Sequence, residues 1–278
     1  MTAGVRQSGP GGGGSASGLV AAGLARGSLL QARRVLRGAL RTPELVVQSL
    51  VFPALLLVLF QLVLSRSLTA FAPGRDAGDL AALIVLVATV FGALISGSAL
   101  FDERAAGLLA RFATMPAHPG SVLLGRVLAE VVRVLCSAVL LLLVGLAFGM
   151  SVRTGPLGLL GFLAVLALVA TTVGVAVSTL AVTSATRSVL NALAPVFLMM
   201  LFFNSGFAPL ASFPALLRPV VAYLPFTVGV DTLLWCLRGG PLDVRAPLVL
   251  AAWCAAALAV SRWLWSTRAA GRVSGERR

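Results

Sequence analysis

The sequence predicts an all-α polytopic integral membrane protein with six transmembrane helices. It adds an N-terminal interfacial amphipathic helix, a cytoplasmic helix between the second and third spans, and a re-entrant extracellular stretch before the last span. Three observations carry this prediction. The chain is 59% hydrophobic and only 11% charged, with a mean hydropathy of +1.00, far from the balance of a soluble domain. Uncharged apolar runs near the length that crosses a bilayer recur along it. The arginines gather on one side of those runs.

About 20 apolar residues cross a hydrocarbon core of roughly 30 Å. Runs of that order lie at Leu45–Ser65, Leu80–Phe101, Val134–Val152, Thr154–Thr186 and Ser188–Leu217, with a shorter one at Ala246–Ser261. All 22 basic residues are Arg, and the chain has no Lys. Sixteen of them precede the first span, flank the connection between spans two and three, occupy the connection between spans four and five, or follow the last span; six (Arg66, Arg75, Arg153, Arg218, Arg238, Arg245) fall on the other side. The positive-inside rule places both termini in the cytoplasm. Four of the nine acids share the second side, which leaves it nearly neutral. The net charge of +13 therefore reads as contact with anionic lipid headgroups and not with nucleic acid.

Taken in order, residues 1–27 form a Pro/Gly/Ser-rich cytoplasmic tail that reads as flexible. Residues 28–43 form the interfacial helix. Ala32, Val35, Leu36, Ala39 and Leu40 follow helical spacing on one face, opposite Arg33, Arg34, Arg37 and Arg41. The transmembrane domain covers 44–266, with a kink expected at Pro53, and a basic cytoplasmic tail covers 267–278. Gly92, Ser96, Gly97 and Ser98 suit close packing of the second span. The third span opens with Arg126, Glu130 and Arg133 on one face; their charge places them near the membrane edge, paired internally. After Asn204, Pro209, Pro214, Pro219 and Pro225 break the chain too often for a spanning helix, so 205–242 reads as a re-entrant lid. Arg262, Trp263 and Trp265 close the last span as an aromatic and basic belt.

The segment Asp102–Arg126 is the most informative. Its first half reads as a short amphipathic helix. Ala105, Leu108, Leu109, Phe112 and Met115 lie on one side, with Glu103, Gly107, Arg111 and Thr114 on the other. Asp102 can cap its start and Pro116 stops it. A cytoplasmic partner that grips this helix and a lipid surface on which it rests both fit the pattern.

Other chemistries are excluded by absences. A phosphate-binding P-loop needs a Lys this chain does not have, so an ATP-driven process requires a separate motor. Cys136, Cys236 and Cys254 show no metal-ligand spacing, and His118 stands alone beside Pro119. The spans hold no H-E-x-x-H, G-x-S-x-G or paired-acid constellation. An ion-coupled transporter needs an ionisable group near mid-membrane, and Glu130 reads as close to a helix end.

The pattern D-E-R-x-x-G-x-L-x-x-x-x-x-x-P followed by L-L-G-R resembles the cytoplasmic coupling segment of ABC-2 type exporter permeases, similar to those of daunorubicin resistance. Glu103, Arg104, Gly107, Leu108, Pro116 and Gly125 carry it. Phe203–Thr232 resembles the same family's external stretch between its last two spans. The resemblance implies a dimeric permease in the plasma membrane of a prokaryote. Glu103, Arg104, Gly107, Leu108, Arg111 and Pro116 would engage a separate ABC ATPase, with Arg126, Glu130 and Arg133 in support. ATP and magnesium would bind that partner, and this chain would hold no cofactor or metal. A homodimer and a pair with a paralogue are both compatible.

The implied cargo is a hydrophobic or amphipathic compound; a polysaccharide or lipid-linked glycan is the alternative, and a non-transporting scaffold the other class. Thr171, Thr172 and Ser178 of the fourth span offer mild polarity for a translocation path. Phe197, Met200, Phe203 and Asn204 of the fifth add a pliable apolar wall. Helix packing is the plainer use of both sets.

Overall fold

In the computed structural model of the protein, the backbone is described for residues 13–71, 77–107, 120–150, 152–184, 186–206, 208–240 and 243–275, with the side chains of 13–22, 44–45, 48–49, 63–71, 77–79, 120, 265 and 267–275 left undescribed. The described residues form helices joined by turns, without strands. Four helices are long and apolar enough to cross a membrane, over Leu80–Ala105, Ser121–Ala147, Gly155–Thr183 and Arg245–Leu264. Phe52–Leu62 and Ser188–Phe202 are shorter apolar helices.

Helix α1 spans Gly13–Arg41, so it begins well before the Ser28 expected from its arginine pattern. Ala16, Ala21, Ala22, Leu19 and Leu24 favour helix in that extension, and no proline interrupts it. Thr42 interrupts the run, and α2 (Pro43–Val46) leads through a π-helical turn at Val47–Val51 into α3 (Phe52–Phe71). The turn has a local cause. Pro53 has no N–H to donate and its ring crowds the carbonyl four residues back, so the ladder widens and Phe52 N–H reaches the carbonyl of Val47. The kink predicted at Pro53 takes this form.

Helix α4 spans Ala77–Ala105 and α5 spans Gly120–Ala147. The third apolar run therefore ends short of Val152: Gly149 takes the left-handed conformation (φ 84°) and stops α5. Helix α6 (Gly155–Thr183) has Pro156 in its first turn. Helix α7 covers only Ser188–Phe202, half of the run expected to Leu217, because the polar Asn204 and the prolines after it end the helix. A short 3-10 turn (Leu210–Ser212), α8 (Arg218–Ala222) and α9 (Pro225–Arg238) follow, and α10 covers Arg245–Gly275.

Buried side chains of α4, α5, α6 and α9 form one apolar core, including Leu83, Val85, Leu141, Phe162, Leu166 and Val230. Helix α9 has fourteen residues, too few to span, yet most of its side chains are buried. Its C-terminus is fastened to the start of α6. Arg153 N–H donates to the Leu237 carbonyl (2.9 Å) and the Thr154 hydroxyl donates to the same oxygen (3.2 Å). These donors satisfy end carbonyls that α9 itself cannot. A Cβ at Gly158 would collide with the Cys236 carbonyl and with Thr154, so only glycine permits this approach. Gly158→Val is expected to destabilise the fold by about 1–3 kcal/mol, read as a lower thermal midpoint in detergent.

Candidate functional site

Asp102, Glu103 and Arg104 form the last turn of α4, and each engages a different element. No proline lies between Leu80 and Ala105, so the ladder of α4 runs straight through them. Asp102 is thus not the N-cap of a separate helix, contrary to the sequence reading. Its carbonyl accepts from Ala106 N–H (2.9 Å), and Gly107 N–H reaches the Arg104 carbonyl (3.0 Å). Gly107 is left-handed (φ 74°) with open space around it, so it ends α4. Leu108, Arg111, Pro116 and His118 lie outside the described residues.

The Glu103 carboxylate pairs with Arg126 Nη2 of α5 at 2.8 Å, and Arg126 Nη1 donates to the Ser96 carbonyl of α4 at 2.7 Å. Arg126 is buried and fully committed to α4, whereas Glu103 keeps partial exposure. Arg104 Nη1 donates to the Ser184 carbonyl (2.8 Å) and the Ala181 carbonyl (3.3 Å). A cation there satisfies end carbonyls of α6 and meets the negative end of its dipole. Asp102 pairs with Arg187, in the turn before α7, at 3.0 Å. Both partners are about half exposed, so Arg187→Gln is expected to cost only about 0–1 kcal/mol, measured as thermal midpoint.

Deeper in the molecule, Arg133 donates through Nε to Glu130 Oε2 (3.1 Å), through Nη2 to Glu130 Oε1, and through Nη2 to the Ala88 carbonyl of α4 (3.4 Å). A Cβ at Gly92 would fall within the Arg133 guanidinium, so Gly92 is its seat on α4. Glu130 is buried, with its Cγ facing Gly174 of α6. The pair stands beside the middle turns of α4 and α5, within the spans Leu80–Ala105 and Ser121–Ala147. Along both helices this lies deeper than the start of the third span, where the sequence pattern puts the group. Two donors on one carboxylate, a carbonyl and a glycine recess together let a charge pair sit inside a span.

Gly125, one of the resemblance residues, has a packing role. A Cβ there would stand 2.5 Å from Gln31 Cβ, 2.7 Å from the Ser28 carbonyl oxygen and 3.1 Å from Ala32 N. A Cβ at Gly27 would in turn stand 3.1 Å from Ser121 Cβ. Small residues on both helices thus let α1 run directly against the start of α5. Leu29, Leu30, Arg33, Arg37, Leu40 and Arg41 stay exposed on its other faces.

The residues singled out for a translocation path are spread over α6, α7 and the turn after α7. The Thr171 and Thr172 hydroxyls donate to carbonyls of their own helix, those of Ala167 (2.7 Å) and Leu168 (2.9 Å). Ser178 is buried in α6. Phe197 meets Phe226 of α9 edge-on (centroids 6.5 Å), Met200 packs on the core, and Phe203 stands 6.0 Å from Phe213. Asn204 is fully buried, its amide donating to the Leu201 carbonyl. Beside it Ser205 N–H reaches Thr227 Oγ1 (3.3 Å) and the Ser205 hydroxyl donates to Asp231 Oδ1 (2.8 Å). A cleft of about 480 Å³ lies instead between α4 and α7, with Phe91, Leu94, Leu190 and Ala194 in its wall and Asp102 and Arg187 on its lining.

Sequence reasoning missed three parts of this arrangement: the Gly92 seat, the Arg187 partner of Asp102 and the contact of α1 with Gly125. Arg187 was findable as the lone charge between two long apolar runs.

The profile of the family described as "ABC-2 type transporter" matches residues 29–237. The chain is also 30% identical, over 224 residues and 80% of each protein, to a probable doxorubicin resistance ABC transporter permease protein, DrrC, of Mycobacterium tuberculosis, in the CDC 1551 / Oshkosh and H37Rv strains alike. The family match takes in the second half of α1, the three-way junction at the end of α4 and helix α9 as far as Leu237. The chain belongs to the ABC-2 type transporter family and is a multi-pass membrane protein of that family.

Proposed function

We propose that this chain is the membrane-spanning permease subunit of an exporter that moves a hydrophobic or amphipathic compound out of the cell, with ATP hydrolysed by a separate subunit. The observation that carries the reading is the junction at Asp102–Arg104. Three successive side chains tie the end of α4 to α5, to the end of α6 and to the turn before α7, immediately ahead of 108–119. A push on that following segment reaches three elements at once. The drug-resistance relative supports a compound of drug or antibiotic type as cargo. The chain has no Lys for a phosphate loop, so ATP and magnesium belong to the partner.

In this reading 108–119 docks on an ABC ATPase through Leu108 and Arg111, and a second permease copy or paralogue completes the pathway. Six spans cross the plasma membrane of a prokaryote with both termini in the cytoplasm, and lipid headgroups meet the arginines of α1. The test is co-purification with the partner ATPase together with cargo efflux from cells. Leu108→Asp and Arg111→Glu are expected to reduce ATPase capture and efflux together, while the chain alone shows no nucleotide hydrolysis. Undiminished capture and efflux in both variants overturns the docking assignment. Glu103→Arg is a poor probe of docking, because it breaks the Arg126 pair inside the chain.

A further inference from the structure

Two kinds of helix seating coexist in this chain. Helices α4 and α5 are fastened at two levels by arginines of α5: Arg126 to Glu103 and the Ser96 carbonyl, and Arg133 to the Ala88 carbonyl over Gly92. Helix α6 joins them through Arg104 at its C-terminus and through Gly174, where a Cβ would meet Val127 and Glu130 at 3.7–3.9 Å. Helix α7 is different. Of its fifteen residues only Leu190 is buried, the 480 Å³ cleft separates it from α4, and the exposed Asp102–Arg187 pair is the ion pair at its base. Buried, multiply bonded charges hold a geometry; a solvent-screened pair yields at little cost.

We propose that α4, α5 and α6 move as one body during transport and that α7 is the element that shifts against it, with Gly92 and Arg133 as positioning residues that keep α5 in step with α4. The inference rests on the permease reading, and adds which helices part. Motion delivered at Asp102–Arg104 then has a soft outlet in the cleft beside α7. Low-stability elements are those with few buried contacts, and α7 fits that description.

The test is double electron–electron resonance on the chain in complex with its partner ATPase, in a background with Cys136, Cys236 and Cys254 replaced by serine. One sample carries labels at Ala99 and Leu128, exposed positions on α4 and α5, and a second carries them at Ala99 and Met199 on α7. Between nucleotide-free and ATP–vanadate-trapped states, the 99–128 distance is expected to hold and the 99–199 distance to shift. Gly92→Ala, which ejects the Arg133 guanidinium, is expected to broaden the 99–128 distribution and lower cargo export several-fold.

A nucleotide-dependent change in 99–128 overturns the proposal, as does a 99–199 distance that never moves. An unchanged 99–128 distribution in Gly92→Ala removes the positioning role of Gly92. ATPase capture and efflux by the unlabelled chain decide separately whether the permease reading stands.

Discussion

Gly125→Leu is expected to detach α1 from α5 and to raise trypsin cleavage at Arg33, Arg34 and Arg37 roughly tenfold or more. The argument is one of backbone proximity. The atoms nearest a Cβ at this position include the Ser28 carbonyl oxygen at 2.7 Å and Ala32 N at 3.1 Å. Backbone of a helix cannot swing aside as a side-chain tip does, so the two helices must separate. Overpacking of this kind costs about 1–3 kcal/mol, and each 1.4 kcal/mol multiplies the open population by ten. The same clash makes Gly125→Ala a milder version. A cleavage rate equal to the parent's in the Leu variant shows that α1 is not held at this crossing.

The second large effect concerns the charges inside the span. Glu130→Gln is expected to destabilise the protein by roughly 3–5 kcal/mol, because it leaves the largely covered Arg133 guanidinium, 18% exposed, against a neutral amide. Retained hydrogen bonding from Gln places the value toward the lower end. The double variant Glu130→Gln, Arg133→Met removes both charges and fills the space, and is expected to recover most of the loss. The measurement is the fraction that stays monodisperse in detergent after graded heating. Additive losses in the double variant mean that the two residues do not act as a pair. Export need not recover with stability, since the double variant also gives up the fastening of α5 to α4.

Much of the fold was legible because a bilayer imposes length and polarity directly on sequence. The second, third, fourth and sixth runs all appear as helices of spanning length, and the proline-rich stretch after Asn204 breaks as its composition requires. The errors have a common origin. Apolar runs were bounded by charge, but α5 carries Arg126, Glu130 and Arg133 inside it because neighbouring helices supply partners that no local pattern displays. The same blindness gave Asp102 to a new helix. Periodicity cannot tell the last turn of one helix from the first turn of the next, whereas Gly107 in a left-handed conformation settles it. The D-E-R motif has an internal use: all three side chains bond within the chain. Gly92 and Gly125 read as small residues for packing, yet which partner each admits depended on the tertiary arrangement.

The three-way junction also has a mechanical meaning. Successive residues of an α-helix project about 100° apart. Side chains bound from Asp102, Glu103 and Arg104 therefore grip α4 around most of its circumference, as three spokes grip an axle. Rotation of α4 about its own axis strains all three at once, while a small tilt can spare two. A twist applied below Gly107 is thus resisted as torque and handed to α5 and α6, and a sideways load is the mode in which this end of the helix is compliant.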